Sequence, residues 1–246
     1  MQPEPVKVAL VYPSLLGLYG DRGNAFALRH RAALRGIPTE ITEINPGDTV
    51  PADAHLYLIG GAEDRTMAAA ATLLDEQKGL RQGIEDGAGC LAVCAGFQLL
   101  SHEYVGPDLQ KRPGLGLLDV ACSRIDGPRA VGEVVARSEL DGSTLLGYEN
   151  HQGDAVLGPE ARPLGIVEVG QGNAHERLEG AYQGTVIGTY LHGPVLVRNP
   201  ALADILLSRA VGRELEPAVD PRVERLRRER LQANRGLRAR LLGRSS

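Results

Sequence analysis

No stretch of this 246-residue sequence is long and apolar enough to span a bilayer, which excludes a protein with transmembrane helices. The first twelve residues, MQPEPVKVALVY, contain no basic segment, and their apolar run is too short for a secretory signal. We therefore expect a cytoplasmic protein.

Cysteine is scarce, and its spacing excludes two common uses. The three cysteines, Cys90, Cys94 and Cys122, form no CxxC pair, so neither a disulfide framework nor a zinc knuckle is expected. The six histidines are not spaced as a metal cluster either. We predict no metal and no cofactor.

Acidic residues outnumber basic ones over most of the chain. The net charge is −4, which does not indicate nucleic acid as a partner. Lysine occurs only at Lys7, Lys78 and Lys111, and no GxxxxGK[ST] segment is present, so ATP binding through a P-loop is not expected. Residues 221–246, in contrast, carry nine arginines and two acidic residues.

What the sequence does contain is an alternation of strand-like and helix-like segments. Strands are predicted at residues 6–12, 38–44, 55–61 and 89–93, and helices at 24–35, at 66–86 with a break near Gly79, and from Phe97 onward. This spacing is typical of βαβ units and a parallel sheet.

The middle of the chain, residues 113–190, has a different pattern. It is rich in glycine and contains the short β-like runs GEVVARS, LLGYEN, LGIVEVG and GTVIGTYLH, followed by a helix at 199–211. We predict one α/β domain over residues 1–211, with a mostly parallel central sheet flanked by helices and with antiparallel additions. Residues 212–246 are predicted to be a basic, helical extension, with its helix at 222–242.

A cysteine stands where a predicted strand turns into a helix. In LAVCAGFQLL, residues 91–100, the strand reaches Cys94, and Gly96 follows two residues later. A buried cysteine often only fills space, but a sharp strand-to-helix turn raises the side chain above the sheet edge, as in a nucleophile elbow. The helix N-terminus also favours the thiolate. We predict that Cys94 is a nucleophile and that Cys90 and Cys122 are structural.

A thiolate nucleophile needs a histidine that transfers protons. His192 follows the apolar run VIGTYL, so it is expected at the same edge of the sheet as Cys94. His151, in GYENHQGD, is the alternative. His192 is preferred because it follows the better strand.

These motifs together resemble the class I, triad-type glutamine amidotransferases, which have a flavodoxin-like fold. LAVCAGFQLL and the distant GTYLHGP carry the resemblance. The cobyric acid synthase-like branch is the most similar, because His192 is not followed two residues later by the glutamate of the wider class. The segments YGDRGN, GGAEDR, GYENHQGD and GTYLHGP further resemble the glutaminase subunits of lipid II isoglutaminyl synthases. The resemblance covers roughly residues 6–211, the glutamine amidotransferase domain.

The resemblance implies a mechanism for the two predicted catalytic residues. Cys94 attacks the side-chain amide of L-glutamine, a γ-glutamyl thioester forms and ammonia leaves. His192 protonates the leaving amine and then activates water. Asp21 is one candidate for a third triad member, and a carboxylate of a partner subunit is the other. We predict a Cys–His pair that a partner completes or orders.

The resemblance also implies the residues that bind the substrate. The backbone N–H groups of Gly61 and Ala95 are expected to hold the oxyanion. Arg129 matches an arginine near the substrate, where a guanidinium pairs well with a carboxylate. Gln98 is expected either to orient the site or to cap the loop.

Ammonia made here must be used elsewhere, because amidation requires an acyl phosphate and therefore ATP. The implied partner is an ATP-dependent, Mur ligase-like synthetase that amidates D-glutamate of the peptidoglycan stem. The alternatives are a glutaminase for cobyrinate-type amidation, a catalytically idle regulatory subunit and an unrelated cysteine hydrolase. The basic C-terminal segment is interpreted as a solvated helix, as a docking element for an acidic partner surface, or as a contact with anionic membrane near a lipid-linked acceptor.

Overall fold

The computed structural model describes residues 4–18, 20–174 and 176–242. Its strands, in chain order, are β1 (Val6–Val11), β2 (Thr39–Ile44), β3 (Leu56–Ile59), β4 (Gly89–Val93), β5 (Glu103–Val105), β6 (Lys111–Pro113), β7 (Val120–Arg124), β8 (Ala130–Ser138), β9 (Thr144–His151), β10 (Gly153–Leu157), β11 (Gly165–Val169), β12 (Leu178–Glu179), β13 (Ala181–Gln183) and β14 (Val186–Thr189). Its helices are α1 (Arg22–Ala33), α2 (Asp64–Asp75), α3 (Lys78–Glu85), α4 (Ala95–Leu100), α5 (Val195–Arg198), α6 (Pro200–Val211) and α7 (Pro221–Leu242).

A six-stranded sheet in the order β13-β14-β4-β3-β1-β2 forms the centre of the fold. All of its pairs are parallel except β13 with β14. The strands β3, β4 and β14 are buried along their whole length, as expected for a parallel sheet covered on both faces. Its five parallel strands, in the order β2-β1-β3-β4-β14, follow the flavodoxin-like order. The predicted fold class is therefore confirmed.

The adjacency of β4 and β14 determines where the site can form. The two strands run parallel, and Thr189 pairs with Val93 at their last residues. Cys94 follows β4 directly, and His192 lies three residues after β14. Both chain segments therefore leave the sheet at the same carboxyl edge, where open α/β sheets bind ligands.

The predicted antiparallel additions form two small sheets, in the orders β10-β7-β5-β6 and β12-β11-β8-β9. The second is antiparallel throughout, and the first contains one parallel pair, β5 with β7. The four β-like runs of the middle segment became β8, β9, β11 and β14. The strands that the sequence did not indicate are mostly two or three residues long, which is too short to show a period.

Two helix boundaries differ from the prediction for identifiable reasons. Helix α1 begins at Arg22, so Asn24 lies in its first turn, and the Asn24 side chain accepts the Leu196 N–H at 2.9 Å instead of capping the helix. The predicted break near Gly79 falls at residues 76–77, between α2 and α3. Gly79 itself packs closely on a neighbouring loop, because a Cβ there would lie 2.0 Å from the Val50 carbonyl oxygen.

The first half of the basic helix α7 is attached to the domain. The guanidinium of Arg227 donates to the Thr144 carbonyl at 2.8 Å, to the Asn199 side chain at 3.3 Å and to the Arg198 carbonyl. At the start of the helix, the buried Asp220 accepts the N–H of Arg222 at 2.9 Å. With three acceptors, the half-buried Arg227 anchors α7 to the domain and is not merely a solvated surface charge.

Replacement of Arg227 by alanine is expected to lower the free energy of unfolding by about 1–3 kcal/mol, because three partly buried oxygens lose a charged donor. The measurement is urea denaturation of the intact chain. Arg228→Ala is the matched control, since Arg228 is exposed on the same helix turn. An equal effect of both substitutions would contradict the anchoring role of Arg227.

Candidate active site

Cys94 stands in a strained backbone conformation at the end of β4. Its φ of 53° and ψ of −104° lie in a region that non-glycine residues rarely adopt. Gly96 allows the turn, because a Cβ there would lie 2.6 Å from the Ile59 carbonyl oxygen. The predicted sharp turn from strand through cysteine to helix is therefore confirmed. Such strain requires support from the surrounding structure.

Neighbouring strands supply that support. The Cys94 N–H donates to the Thr189 carbonyl at 2.8 Å, and the Gly96 N–H donates to the Gly60 carbonyl at 3.2 Å. The chain at the nucleophile is thus tied to the last residue of β14 and to the residue after β3, the two strands next to β4. Ala95, the first residue of α4, is buried between these contacts.

Gly61, a predicted oxyanion donor, has a partner in this structure. Its N–H donates to the Asp21 carboxylate at 2.8 Å, and both residues are buried. Burial raises the pKa of Asp21 to about 6, while the bond from Gly61 opposes the shift. In this conformation the N–H of Gly61 is therefore committed to Asp21, and the Asp21 carboxylate faces a backbone amide.

A small polar cavity opens beside Cys94. Its lining includes three predicted site residues and one alternative: Cys94, Gln98, Arg129 and His151. The other lining residues are Ala62, Met67, Val105, Ser123, Arg124, Gln152 and Gly153. The second arginine, Arg124, was not singled out from the sequence, because no motif distinguishes it from the other arginines.

The two predicted binding residues in this cavity are held by specific contacts. The Arg129 guanidinium donates to the Asn150 side-chain oxygen at 2.5 Å and to the Asn150 carbonyl at 2.7 Å. The Gln98 amide donates to the Tyr190 hydroxyl at 3.5 Å. Arg129 thus presents a positive charge to the cavity from a fixed position, which suits an anionic group of a ligand.

His192 is buried at the same edge of the sheet. Its backbone N–H and carbonyl pair with the carbonyl and N–H of Tyr148, at 2.8 and 3.1 Å. Burial is the main reason why the pKa of His192 is lowered to about 4, and the charges of His151 and Arg129 act in the same direction. The imidazole is therefore neutral near pH 7, the form that can accept a proton.

His151 is held differently. One ring nitrogen, Nδ1, lies 2.8 Å from the Gly153 carbonyl, so this nitrogen must donate. The other, Nε2, lies 3.7 Å from the Glu149 carboxylate. The ring is stacked on Tyr190, with centroids 3.9 Å apart and planes 9° apart. The structure thus places His151 in the cavity with Cys94 and His192 at the same edge of the sheet, and the Nδ1 of His151 is held by a backbone carbonyl.

Two buried carboxylates behind this region were not found from the sequence. Glu149 accepts the backbone N–H groups of Gln171 and Gly172 at 2.9 Å each. Burial raises the pKa of Glu179 to about 7, while the Thr189 hydroxyl and the charge of His151 oppose the shift. Glu149 belongs to the GYENHQGD segment, which offered a signal, whereas Glu179 lies in no motif.

The remaining cysteines have inert surroundings. Cys90 and Cys122 are fully buried, and burial raises the pKa of each thiol to about 12. Their predicted structural role is consistent with this burial. Within residues 4–18, 20–174 and 176–242, no group of three or more potential ligands is arranged to hold a metal ion. In the same part of the chain, no helix has the length and apolarity needed to cross a membrane.

The fold and the nucleophile turn together define the class of protein. The fold is that of the glutamine amidotransferases: it matches a crystal structure of a glutamine amidotransferase with a TM-score of 0.56, over 84% of this chain and 99% of the other, at 20% identity. More specifically, the profile of the CobB/CobQ-like glutamine amidotransferase domain matches residues 7–200. The chain belongs to this family.

Two relatives of this chain have the same name. The chain is 39% identical to the lipid II isoglutaminyl synthase (glutamine-hydrolyzing) subunit GatD of Staphylococcus aureus (strain N315), over 81% of this chain and 82% of the relative. It is 32% identical to the GatD subunit of Streptococcus pneumoniae (strain ATCC BAA-255 / R6), over 85% and 82%. The similarity therefore extends over most of each protein.

Proposed function

We propose that this chain is the glutaminase subunit of a two-chain lipid II isoglutaminyl synthase. It hydrolyses L-glutamine to glutamate and ammonia through a thioester on Cys94. The observation that carries the proposal is the strained Cys94, which shares a cavity with Arg129 and lies beside the strand that leads to a neutral, buried His192. The names and the extensive coverage of the two GatD relatives support the particular reaction.

The chemical steps follow from these positions. His192 takes the proton of the Cys94 thiol as the sulfur attacks the carboxamide carbon, and gives this proton to the ammonia that leaves. His192 then removes a proton from the water that opens the thioester, and this proton returns to the Cys94 sulfur as glutamate leaves. Arg129 pairs with the substrate carboxylate, and Gln98 orients the site. Ala95 and Gly61 stabilise the oxyanion. For Gly61 this requires its N–H to turn away from Asp21 when substrate binds.

The ammonia is passed to an ATP-dependent, Mur ligase-like synthetase, which amidates D-glutamate of the peptidoglycan stem. Such a partner activates the acceptor. The three free cysteines of this chain suit a reducing cytoplasm, where we place the complex.

Of the three interpretations of the basic segment, docking on a partner is favoured, because Arg227 fixes α7 to the domain as a rigid surface element. A catalytically idle subunit is disfavoured, because it has no use for a strained backbone at Cys94.

The test is covalent labelling with a diazoketone that mimics glutamine, read by peptide mass spectrometry. It is performed on the chain alone and on its complex with the co-purified synthetase. A single adduct on Cys94 that excess L-glutamine prevents supports the proposal, and Cys94→Ala provides the blank. No adduct in either preparation, or an adduct that glutamine does not prevent, would reject it.

Replacement of Arg129 by alanine is expected to raise the KM for glutamine about tenfold or more, while kcat changes less than about threefold. The guanidinium contacts a part of the substrate that does not react, so substrate and transition state lose the same interaction. Steady-state hydrolysis by the complex measures both constants. Arg137→Ala is the control, because Arg137 lies at the far end of β8 and pairs on the surface with Glu139. An unchanged KM in Arg129→Ala would refute this role.

A further inference from the structure

The carboxylate of Glu179 is buried behind the candidate site and holds the chain that leads to His192. Glu179 ends the short strand β12 and is fully buried. Its Oε1 accepts the Thr189 hydroxyl at 2.5 Å and the Tyr190 N–H at 3.0 Å. Burying a carboxylate is costly unless such bonds compensate, so this carboxylate strongly constrains the position of its two partners.

Close backbone packing brings Glu179 to this position. Gly180 has a φ of 56°, and a Cβ there would lie 2.3 Å from the Gly188 carbonyl oxygen in β14. The side chain of Asn173 binds both the N–H and the carbonyl of Gly180, at 2.7 and 2.9 Å. The turn after Glu179 is therefore pressed against β14 and fixed from its other side.

Thr189 connects this carboxylate to both predicted catalytic residues. Its hydroxyl donates to Glu179 and accepts the Leu191 N–H at 3.0 Å, which fixes the residue before His192. Its carbonyl accepts the Cys94 N–H at 2.8 Å. One residue thus holds the backbone of the nucleophile and the chain that carries the histidine.

Tyr190 connects the same arrangement to two residues that line the cavity, His151 and Gln98. Its N–H is held by Glu179, its ring stacks on His151, and its hydroxyl accepts the Gln98 amide at 3.5 Å. A shift of the Glu179 carboxylate would therefore move the support of two cavity-lining residues as well as the chain that leads to His192.

We propose that Glu179 and Thr189 are positioning residues, which set the distance and orientation between Cys94 and His192. This inference rests on the proposed function, because it assigns the two residues to the geometry of that reaction. Neither residue touches the substrate. They act through backbone segments, where a displacement of about 1 Å lowers the rate of a chemical step by up to about a hundredfold.

The chain offers a matched pair of threonines for the test. Thr185 lies just before β14, at the opposite edge of the sheet, and its hydroxyl donates to the Ala88 carbonyl at 2.9 Å. Thr189→Val and Thr185→Val each replace a hydroxyl by a methyl group and each remove a hydrogen bond in the same part of the fold. Only the first change affects the link to Cys94 and His192.

Glutamine hydrolysis and thermal unfolding are measured for both variants in the complex with the synthetase. Thr189→Val is expected to lower kcat about tenfold or more, with KM within about twofold, whereas Thr185→Val leaves both constants unchanged. Thr189→Ser, which restores the hydroxyl, is expected to recover at least about half of kcat. Equal kcat in Thr189→Val and Thr185→Val, or a kcat loss that simply follows the loss of folded protein, would overturn the inference.

A second measurement separates this inference from the proposed function. Cys94 is alkylated with iodoacetamide in the wild type and in Glu179→Gln and Glu179→Leu, and the rate is read by peptide mass spectrometry. Glu179→Gln keeps an acceptor oxygen and is expected to stay within about threefold of the wild-type rate, while Glu179→Leu falls about tenfold. If the wild type hydrolyses no glutamine, the proposed function fails. Equal alkylation rates in all three proteins would independently reject the positioning role of Glu179.

Discussion

Replacement of Cys94 by alanine is expected to reduce glutamine hydrolysis at least about a thousandfold, with little change in stability. Loss of a covalent nucleophile removes the whole thioester route, and such substitutions in enzymes with a nucleophile and base are the most severe. The strained backbone at this position is tied down by the Thr189 and Gly60 carbonyls, so the turn survives the loss of the sulfur. Glutamate release by the purified complex, with ATP and acceptor omitted, measures the effect.

Cys90 provides the control for this substitution. It lies four residues earlier, within β4, and is fully buried, and burial raises the pKa of its thiol to about 12. Cys90→Ala is expected to cost stability through a small cavity, but to keep kcat within about threefold. Activity retained in Cys94→Ala, or lost equally in both variants, would exclude Cys94 as the nucleophile.

The central sheet was predictable because its strands are short apolar runs separated by helical segments. The run GCLAV is buried at every position and was placed at its observed bounds, Gly89–Val93. The antiparallel sheets were predictable only in their longer strands, since β8 and β9 have eight or nine residues, whereas β12 has two. A two-residue strand forms only because neighbouring strands pair with it, and the local sequence pattern does not indicate such pairing.

In the candidate site, too, the features that local sequence indicates were predicted, and those that depend on contacts between distant residues were not. Cys94 was indicated by the glycine two residues later, and His192 by the strand before it. The commitment of the Gly61 N–H to Asp21 joins residues forty positions apart, and the bond of Glu179 to Thr189 joins strands of different sheets. Such contacts depend on the folded arrangement, so the sequence alone indicated the candidate reacting groups and did not indicate the groups that hold them.

The two histidines are expected to differ sharply when each is replaced by asparagine. His192→Asn is expected to lower kcat/KM about a thousandfold or more, because both proton transfers lose their carrier. His151→Asn is expected to lower it less than about tenfold, since an asparagine amide can donate to the Gly153 carbonyl as Nδ1 does. Steady-state hydrolysis with both variants decides between them, and a larger loss in His151→Asn would reverse the assignment.

The pH dependence of kcat/KM provides an independent check on His192. Burial, together with the charges of His151 and Arg129, lowers the pKa of His192 to about 4, so the neutral base persists until the pH falls to that value. The wild type is therefore expected to lose activity on acidification with a midpoint between about pH 4 and 5, where the imidazole gains a proton, and not near 6.5. Far-ultraviolet circular dichroism at each pH controls for unfolding.

A midpoint near 6 or 7 would instead implicate Asp21 or Glu179, because burial raises the pKa of these carboxyls to about 6 and about 7. In that case Asp21→Asn or Glu179→Gln should remove the transition, and His192 would not be the group whose protonation limits the reaction.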